Sequence, residues 1–450
     1  MRRSALLSAS VFAGAYAWMP QDRDLAAFNR TYDALGKRAP SLPNKVRGVN
    51  LGGWLVSEPW LMPKEWTTVI KCAQCSSCTD KCSEFDCVNT LGQAQADINF
   101  NNHYATWIQP KDIQAIHDAG LNTVRIPIGY WSFRDIVDSS EHFPNMNLQY
   151  LDAVIQKAAD LGMFVVMDLH AAPGAQKVND AFTGQCLGTQ WLPGFFSQYN
   201  YDRASHWLDW MTRRIYSKDA YRRTVGIIEV LNEPQTDRDE GKRPQQEINT
   251  LTQVYYPQAL KAVRNAEDSL NIAQSDRLHV QFMDNLWGAG NPKSNLPADS
   301  GVIFDDHNYV GGAVAQNSHP NDKQNVKQAD YMWYTCYTDN RLTDGNTPKI
   351  VQEFSLTIDP LVEGNNEFNP DASQNQPFYK QWWIAQQRLY EQTNGWIFWT
   401  WKVELNNPRW SYQAAIDPKR GWIPNSAAGL DQSRNTDVCK SYFGNSDGRS

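Results

Sequence analysis

The stretch "GIIEVLNEP" at 226 to 234 is an apolar, β-branched run that ends in an Asn-Glu-Pro turn, yet it carries two carboxylates, Glu229 and Glu233. Strand residues four apart face the same side, so alternation alone cannot separate them. Position can. Glu229 stands mid-run among Ile227, Ile228 and Val230, where a carboxylate is expected to be a buried structural partner of an arginine, whereas Glu233 stands at the end of the run between Asn232 and Pro234. A further glutamate, Glu353, closes the run "KIVQEF" at 349 to 354. Two carboxyl groups on separate segments, one protonated and one ionised, are what cleavage of a glycosidic bond requires: an acid for the leaving oxygen, and a base or nucleophile at the anomeric carbon.

Rival chemistries find no footing. The chain has no G-x-S-x-G elbow, no H-E-x-x-H and no P-loop, and no cofactor is implied. His103, His170 and His307 could in principle gather around a metal, but beside carboxylates they are expected to hydrogen-bond hydroxyls or to hold a carboxylate, so no metal is expected.

The elements that must position these groups are short apolar runs separated by helix-like patterns. Eight such runs occur, at 45 to 51, 122 to 128, 163 to 170, 226 to 232, 278 to 284, 301 to 309, 349 to 354 and 395 to 402. Amphipathic stretches such as "PKDIQAIHDAGL" and "LQYLDAVIQKAADLG" lie between them, each with a Gly suited to a helix C-terminus. Strands alternating with helices predict parallel pairing, and eight of them predict a (β/α)8 TIM barrel of the α/β class. An open doubly wound sheet is disfavoured because "NLGGW" after the first run lacks the G-x-G-x-x-G spacing. Loop insertions are expected after strands 1, 3, 4 and 6.

A barrel of this kind builds its site at the C-terminal ends of its strands. Arg125 lies inside the second run, His170 closes the third, and Asn232 with Glu233 closes the fourth. His307 and Tyr309 close the sixth, Glu353 the seventh, and Trp399 with Trp401 lies in the eighth. Six strands delivering polar or aromatic residues to one rim is hard to explain as chance.

Composition sets the outer limits. Hydrophobic residues make up 41% and charged residues 20%, a globular balance, and 18 Trp with 19 Tyr supply aromatic faces of the kind that bind flat apolar sugar surfaces. A net charge of −7 without a Lys/Arg cluster argues against a nucleic-acid partner. The N-terminal "MRRSALLSASVFAGAYA" has the basic start, short apolar run and small-residue end of a secretory signal over residues 1–17, too short to span a bilayer. Residues 18–38 read as a pro-segment ending in the dibasic pair Lys37-Arg38 and carrying the one N-x-S/T sequon, at Asn29. Residues 39–450 read as one domain. Eight cysteines, five of them crowded between Cys72 and Cys87, fit disulfides in an oxidising, extracellular compartment, with the pairing left open.

These motifs resemble glycoside hydrolase family 5 and, within it, the secreted fungal exo-β-1,3-glucanases. The resemblance rests on "RGVNLGGWLVSEPW", "GLNTVRIPIGYW", "MDLHAAPGAQ", "VLNEP", "HNY", "VQEFS" and "GWIFWTWK", in this order over most of the chain. It implies a retaining mechanism with Glu233 as acid/base and Glu353 as nucleophile, the first with a raised pKa and the second kept ionised by Arg125 and Tyr309. It further implies that Asn232, His170 and His307 bind the reacting sugar, that Trp399 floors it, and that the protein is a monomer acting on β-glucan and associated with the cell wall. The family usually has Gly and Trp flanking the nucleophile; here Gln352 and Phe354 stand there. A β-1,6-glucanase or a glycolipid β-glucosidase of the same family is the alternative. A non-catalytic glucan-binding wall protein is the reading from another class, and retention of both glutamates speaks against it.

Overall fold

A computed structural model describes residues 39–444 apart from 76, 188–191, 237, 238, 240–242, 300, 340 and 406. The signal peptide and pro-segment expected over residues 1–38, with the Asn29 sequon, lie outside the described residues. Each of the eight apolar runs forms a strand: β1 Val46–Asn50, β2 Thr123–Gly129, β3 Phe164–Ala171, β4 Val225–Glu229, β5 His279–Met283, β6 Val302–His307, β7 Lys349–Glu353 and β8 Gly395–Phe398. They pair in parallel in chain order, and β1 also pairs with β8, closing the barrel.

Helices surround the strands. The segments read as amphipathic form α1 (Pro110–Asp118) and α2 (Gln149–Asp160), followed by α3 (Gln198–Ser217), α4 (Tyr256–Ser269) and α5 (Gln376–Tyr390). Both early helices end as expected, at Gly120 (φ +86°) and Gly162 (φ +67°), in the left-handed conformation that a residue with a Cβ adopts only with strain.

The lumen is layered by the two-residue period of the strands. Val46, Phe164, Val166, Ile227, Ile303, Ile350 and Ile397 pack into one apolar plug. Two residues further along, the same faces carry Asp168, Glu229, Asp305 and Gln352, with Arg125 on β2, all fully buried. Another step along, His170 and His307 reach the rim. The site therefore stands on a charged layer, which itself stands on an apolar one.

The insertions are covalently tied. All eight cysteines are paired, as Cys72–Cys87, Cys75–Cys82, Cys78–Cys186 and Cys336–Cys439. Cys78–Cys186 joins the loop after β1 to the loop after β3 across 108 residues of sequence. Replacing both cysteines with Ala is expected to lower the unfolding free energy by about 2–5 kcal/mol, the range typical of a native disulfide closing a long loop. Urea unfolding would read it; an unchanged midpoint would mean the two loops are held by their packing alone. Among the described residues, no helix is long and apolar enough to cross a membrane.

Candidate active site

Arg125 organises the site from below. Its guanidinium is fully buried and donates from Nε to Glu229 Oε2 (2.9 Å), from Nη1 to Asn50 Oδ1 (3.0 Å) and Glu353 Oε1 (2.9 Å), and from Nη2 to Asn232 Oδ1 (2.8 Å). Nη2 also lies 3.0 Å from Asp168 and 3.7 Å from Asp305. Glu229 is thus the buried arginine partner expected of it. Five N–H donors in a rigid fork suit one cation holding acceptors from several strands at once.

Glu353 receives a second donor, the Tyr309 hydroxyl, 2.9 Å from Oε2. Asn232 accepts from Arg125 through its amide oxygen, so the NH2 end of that amide is the one left to donate. His170 bonds Asp168 through Nδ1 at 2.6 Å, and its ring stacks on that of Trp399 at 5.7 Å with planes 7° apart. Trp401 instead packs beside Tyr412, its indole nitrogen facing Asp112 of α1. Of the two tryptophans, Trp399 is the one at the site.

Glu233 sits beyond the end of β4 with φ +35°, a conformation rare for a residue with a side chain. One oxygen of Glu233, one of Glu353 and a ring nitrogen of His307 lie within 4.8 Å of one another. By distance alone such a trio could hold a metal. Both ring nitrogens of His307 face carboxylates, however, Nδ1 at 2.7 Å from Glu233 and Nε2 at 3.1 Å from Asp305. Burial would lower the pKa of His307, but Glu353 and Asp305 outweigh it and hold it well above the usual value. An imidazolium donating at both ends has no lone pair for a metal.

The protonation of the two glutamates reverses the expectation from the sequence. Burial acts to raise Glu233, but Lys177 and the His307 hydrogen bond outweigh it and hold the carboxyl down at about 2. Burial raises Glu353, with Glu233 adding to the rise against the opposing pull of His307 and Arg125. The unexpected contributor is Lys177, from the loop after β3, whose Nζ lies 3.7 Å from Glu233 Oε2. His307, held above its usual range, is thus the protonated partner in its hydrogen bond to Glu233.

Reasoning from sequence missed Lys177, Glu58, Asp168, Asp305 and Trp287. Asp168 and Asp305 had a usable signal: "DLH" on β3 and "DDH" on β6 each place an Asp two residues before a site histidine, on the same strand face. Glu58, in "SEPW", is buried and held by the Trp60 indole at 3.0 Å. Burial, with Glu353 nearby, pushes its pKa well above the carboxylate range. It lines a cavity of about 200 Å³ with Trp60, Asp180 and Phe182. A larger cavity, about 520 Å³ and walled by Lys380, Trp422 and Ile423, contains none of these groups.

A closed parallel barrel with two carboxyl groups in reach of one another at its rim defines the class of the protein as an O-glycosyl hydrolase. Residues 90–404 match cellulase, glycosyl hydrolase family 5, and the chain belongs to that family. It is 41% identical over 438 residues to a probable glucan endo-1,6-beta-glucosidase B of Neosartorya fischeri, covering 96% of this chain and 99% of the relative. It is 30% identical over 401 residues to a glucan 1,3-beta-glucosidase of Kluyveromyces lactis, covering 83% and 87%. Among solved structures, rutinosidase from Aspergillus niger shares the fold, with a TM-score of 0.61 and 19% identity over 84% of this chain and 99% of the other.

Proposed function

We propose that this protein is a secreted, retaining endo-glucanase that hydrolyses β-1,6-glucan by double displacement. The observation that carries the mechanism is the approach of Glu233 and Glu353 oxygens to within 4.8 Å. Retaining enzymes hold their carboxyl groups about 5–5.5 Å apart, whereas inverting enzymes leave about 6.5–9.5 Å for a water. The linkage and endo action rest on the relatives: the endo-1,6 name belongs to the chain that is more similar and covers more of this one. We weigh this reading above exo action on β-1,3-glucan for that reason. Secretion is supported by the four disulfides and by the basic-then-apolar N-terminus.

The reacting glucose lies on the Trp399 indole, with the Asn232 amide donating to its 2-hydroxyl. A Glu353 oxygen attacks C1 as the C1–O bond to the leaving sugar breaks, and the leaving oxygen takes a proton from Glu233. Sugar binding displaces water, and Glu233 receives that proton from His307 Nδ1 along their hydrogen bond. Glu233, again a carboxylate, then removes a proton from water as the water oxygen attacks C1 and the bond to Glu353 breaks, and it returns that proton to His307 along the same hydrogen bond.

Digestion of pustulan followed by proton NMR tests the proposal: β-anomers appear first, in a ladder of oligomers. An initial α-anomer would overturn retention, and glucose released alone, with laminarin preferred, would overturn the linkage and endo action. In Glu233→Ala, kcat on pustulan is expected to fall by about 10²–10⁴-fold, the usual worth of a general acid. Azide should then restore turnover of an activated aryl β-glucoside and give the β-glucosyl azide; an absence of rescue would remove Glu233 from the acid/base role.

A further inference from the structure

Lys177 holds an unusual position. Its side chain is 15% exposed, and its Nζ lies 3.2 Å from Asp180 Oδ2 and 3.7 Å from Glu233 Oε2. The ammonium also stands over two aromatic faces, 5.7 Å from the Phe182 ring centroid and 5.1 Å from that of Trp287. Those rings lead back to the site. Phe182 packs edge-on against His170 and Trp287 against His307, while the Trp287 indole donates to the carbonyl of Pro234, the residue after Glu233, at 2.8 Å. Lys177 therefore meets Glu233 at Oε2, and His307 meets it at Oε1.

A surface lysine is a hydrated point charge, and pairing it with a carboxylate stabilises the fold little. Lys177 is instead largely dehydrated, flanked by aromatic walls and placed on the acid group rather than on the nucleophile. The acid group of a glycosidase faces the glycosidic oxygen, so what contacts it from the loop side borders the sugar that departs. Flat aromatic faces and a cation with three rotatable donors are a suitable lining for a pyranose with hydroxyl acceptors.

Resting on the assignment of Glu233 as acid/base, we propose that Lys177 determines specificity on the leaving-group side: its ammonium donates to a hydroxyl of the departing glucosyl unit and thereby loosens its hold on Glu233. The Lys177 ammonium keeps Glu233 ionised; a correct sugar in the leaving position takes over the lysine, and the carboxyl accepts the proton that bond cleavage requires. A ligand lacking that hydroxyl leaves Lys177 on Glu233 and the acid undercharged with protons. Acid catalysis is thus coupled to recognition of the leaving sugar. The titratable and charged groups facing Glu233 are Lys177 and Asp180 from the loop after β3, His170, His307, Glu353 and Glu58. Among them Lys177 is the cation that a sugar hydroxyl can draw away, since both histidines are fixed by aspartates.

The test compares Lys177→Met and Lys177→Arg with the parent on gentiotetraose, whose leaving group is a sugar, and on 4-nitrophenyl β-gentiobioside, whose leaving group has no hydroxyls and needs little acid help. The ratio of kcat/KM values, tetraose over aryl glycoside, is expected to fall by about 10–100-fold in Lys177→Met, the loss of one charged hydrogen bond. The Arg variant should recover most of that ratio. Removing a cation from beside a carboxylate raises the carboxyl pKa, so the basic limb of the kcat/KM profile on gentiotetraose should move to higher pH in Lys177→Met. An unchanged ratio, or an unmoved basic limb, would overturn the proposal. Azide rescue of Glu233→Ala, measured alongside, separates this failure from a wrong acid/base assignment: rescue with an unchanged Lys177 ratio would sink only the lysine, and no rescue would sink both.

Discussion

Glu353→Gln is expected to lower kcat on β-glucan by about 10⁴-fold or more, because an amide cannot form the glycosyl ester. The substitution keeps shape and most contacts: Arg125 still finds an oxygen at the Oε1 position, while the Tyr309 hydroxyl, now facing an NH2 group, accepts instead of donating. Substrate binding should survive better than turnover, so the loss falls on kcat more than on KM. A 2-fluoro glucosyl fluoride should label the parent on the peptide containing Glu353 and leave the variant unlabelled. Turnover by Glu353→Gln at the parent rate, or label on another residue, would remove Glu353 from the nucleophile's role.

The second large effect is on stability. Arg125→Met leaves Glu229 and Glu353 beside Asp168 and Asp305 without their shared counter-charge, all of them buried. Removing one member of a buried ionic cluster costs about 3–5 kcal/mol, because the surviving charges lose their compensation while staying out of water. The sign of the pH dependence follows. Already in the parent, burial holds Glu229 well above the carboxylate range, with the pull of Arg125 opposing it. Without Arg125 the folded-state pKa values of Glu229 and Glu353 rise further above their unfolded values. The deficit is then larger at about pH 8 than at about pH 4, because it shrinks as the pH falls through the raised pKa values of these groups, where they take up protons. Urea unfolding at the two pH values reads this; an equal deficit at both would show that lost packing, and not uncompensated charge, is the cause.

Much of this architecture is legible in the sequence. Parallel strands covered on both faces read as continuous apolar runs, and each of the eight runs lies within a few residues of a strand's bounds. The rim residues His170, Asn232, His307, Tyr309 and Glu353 were legible by their place at strand ends, and Arg125 by its place inside the second apolar run. Trp399 and Trp401 were not separable, since residues two apart share a face while a strand lasts. β8 ends at Phe398, so the alternation that would equate them no longer applies. Parity alone would also have turned Glu353 away from the lumen, as its neighbour Gln352 faces inward; the register shift between β6 and β7 beside His307 changes the count. The protonation pattern was out of reach for another reason. It depends on a lysine that arrives from a loop, and loops carry no periodicity from which a direction could be read.

The disulfide between Cys78 and Cys186 makes the loops after β1 and β3 a single inheritable part. Glu58 and Trp60 stand on one side of this joint, and Lys177, Asp180 and Phe182 on the other. A laboratory chimera that grafted only one of these loops onto a related barrel would strand a thiol and pair two surfaces that never matured together. Recombination should succeed where both segments travel as a cassette, leaving Arg125 and the rim carboxylates to the recipient: these belong to the barrel, whereas the groups that border Glu233 from the loops form a module with its own covalent boundary.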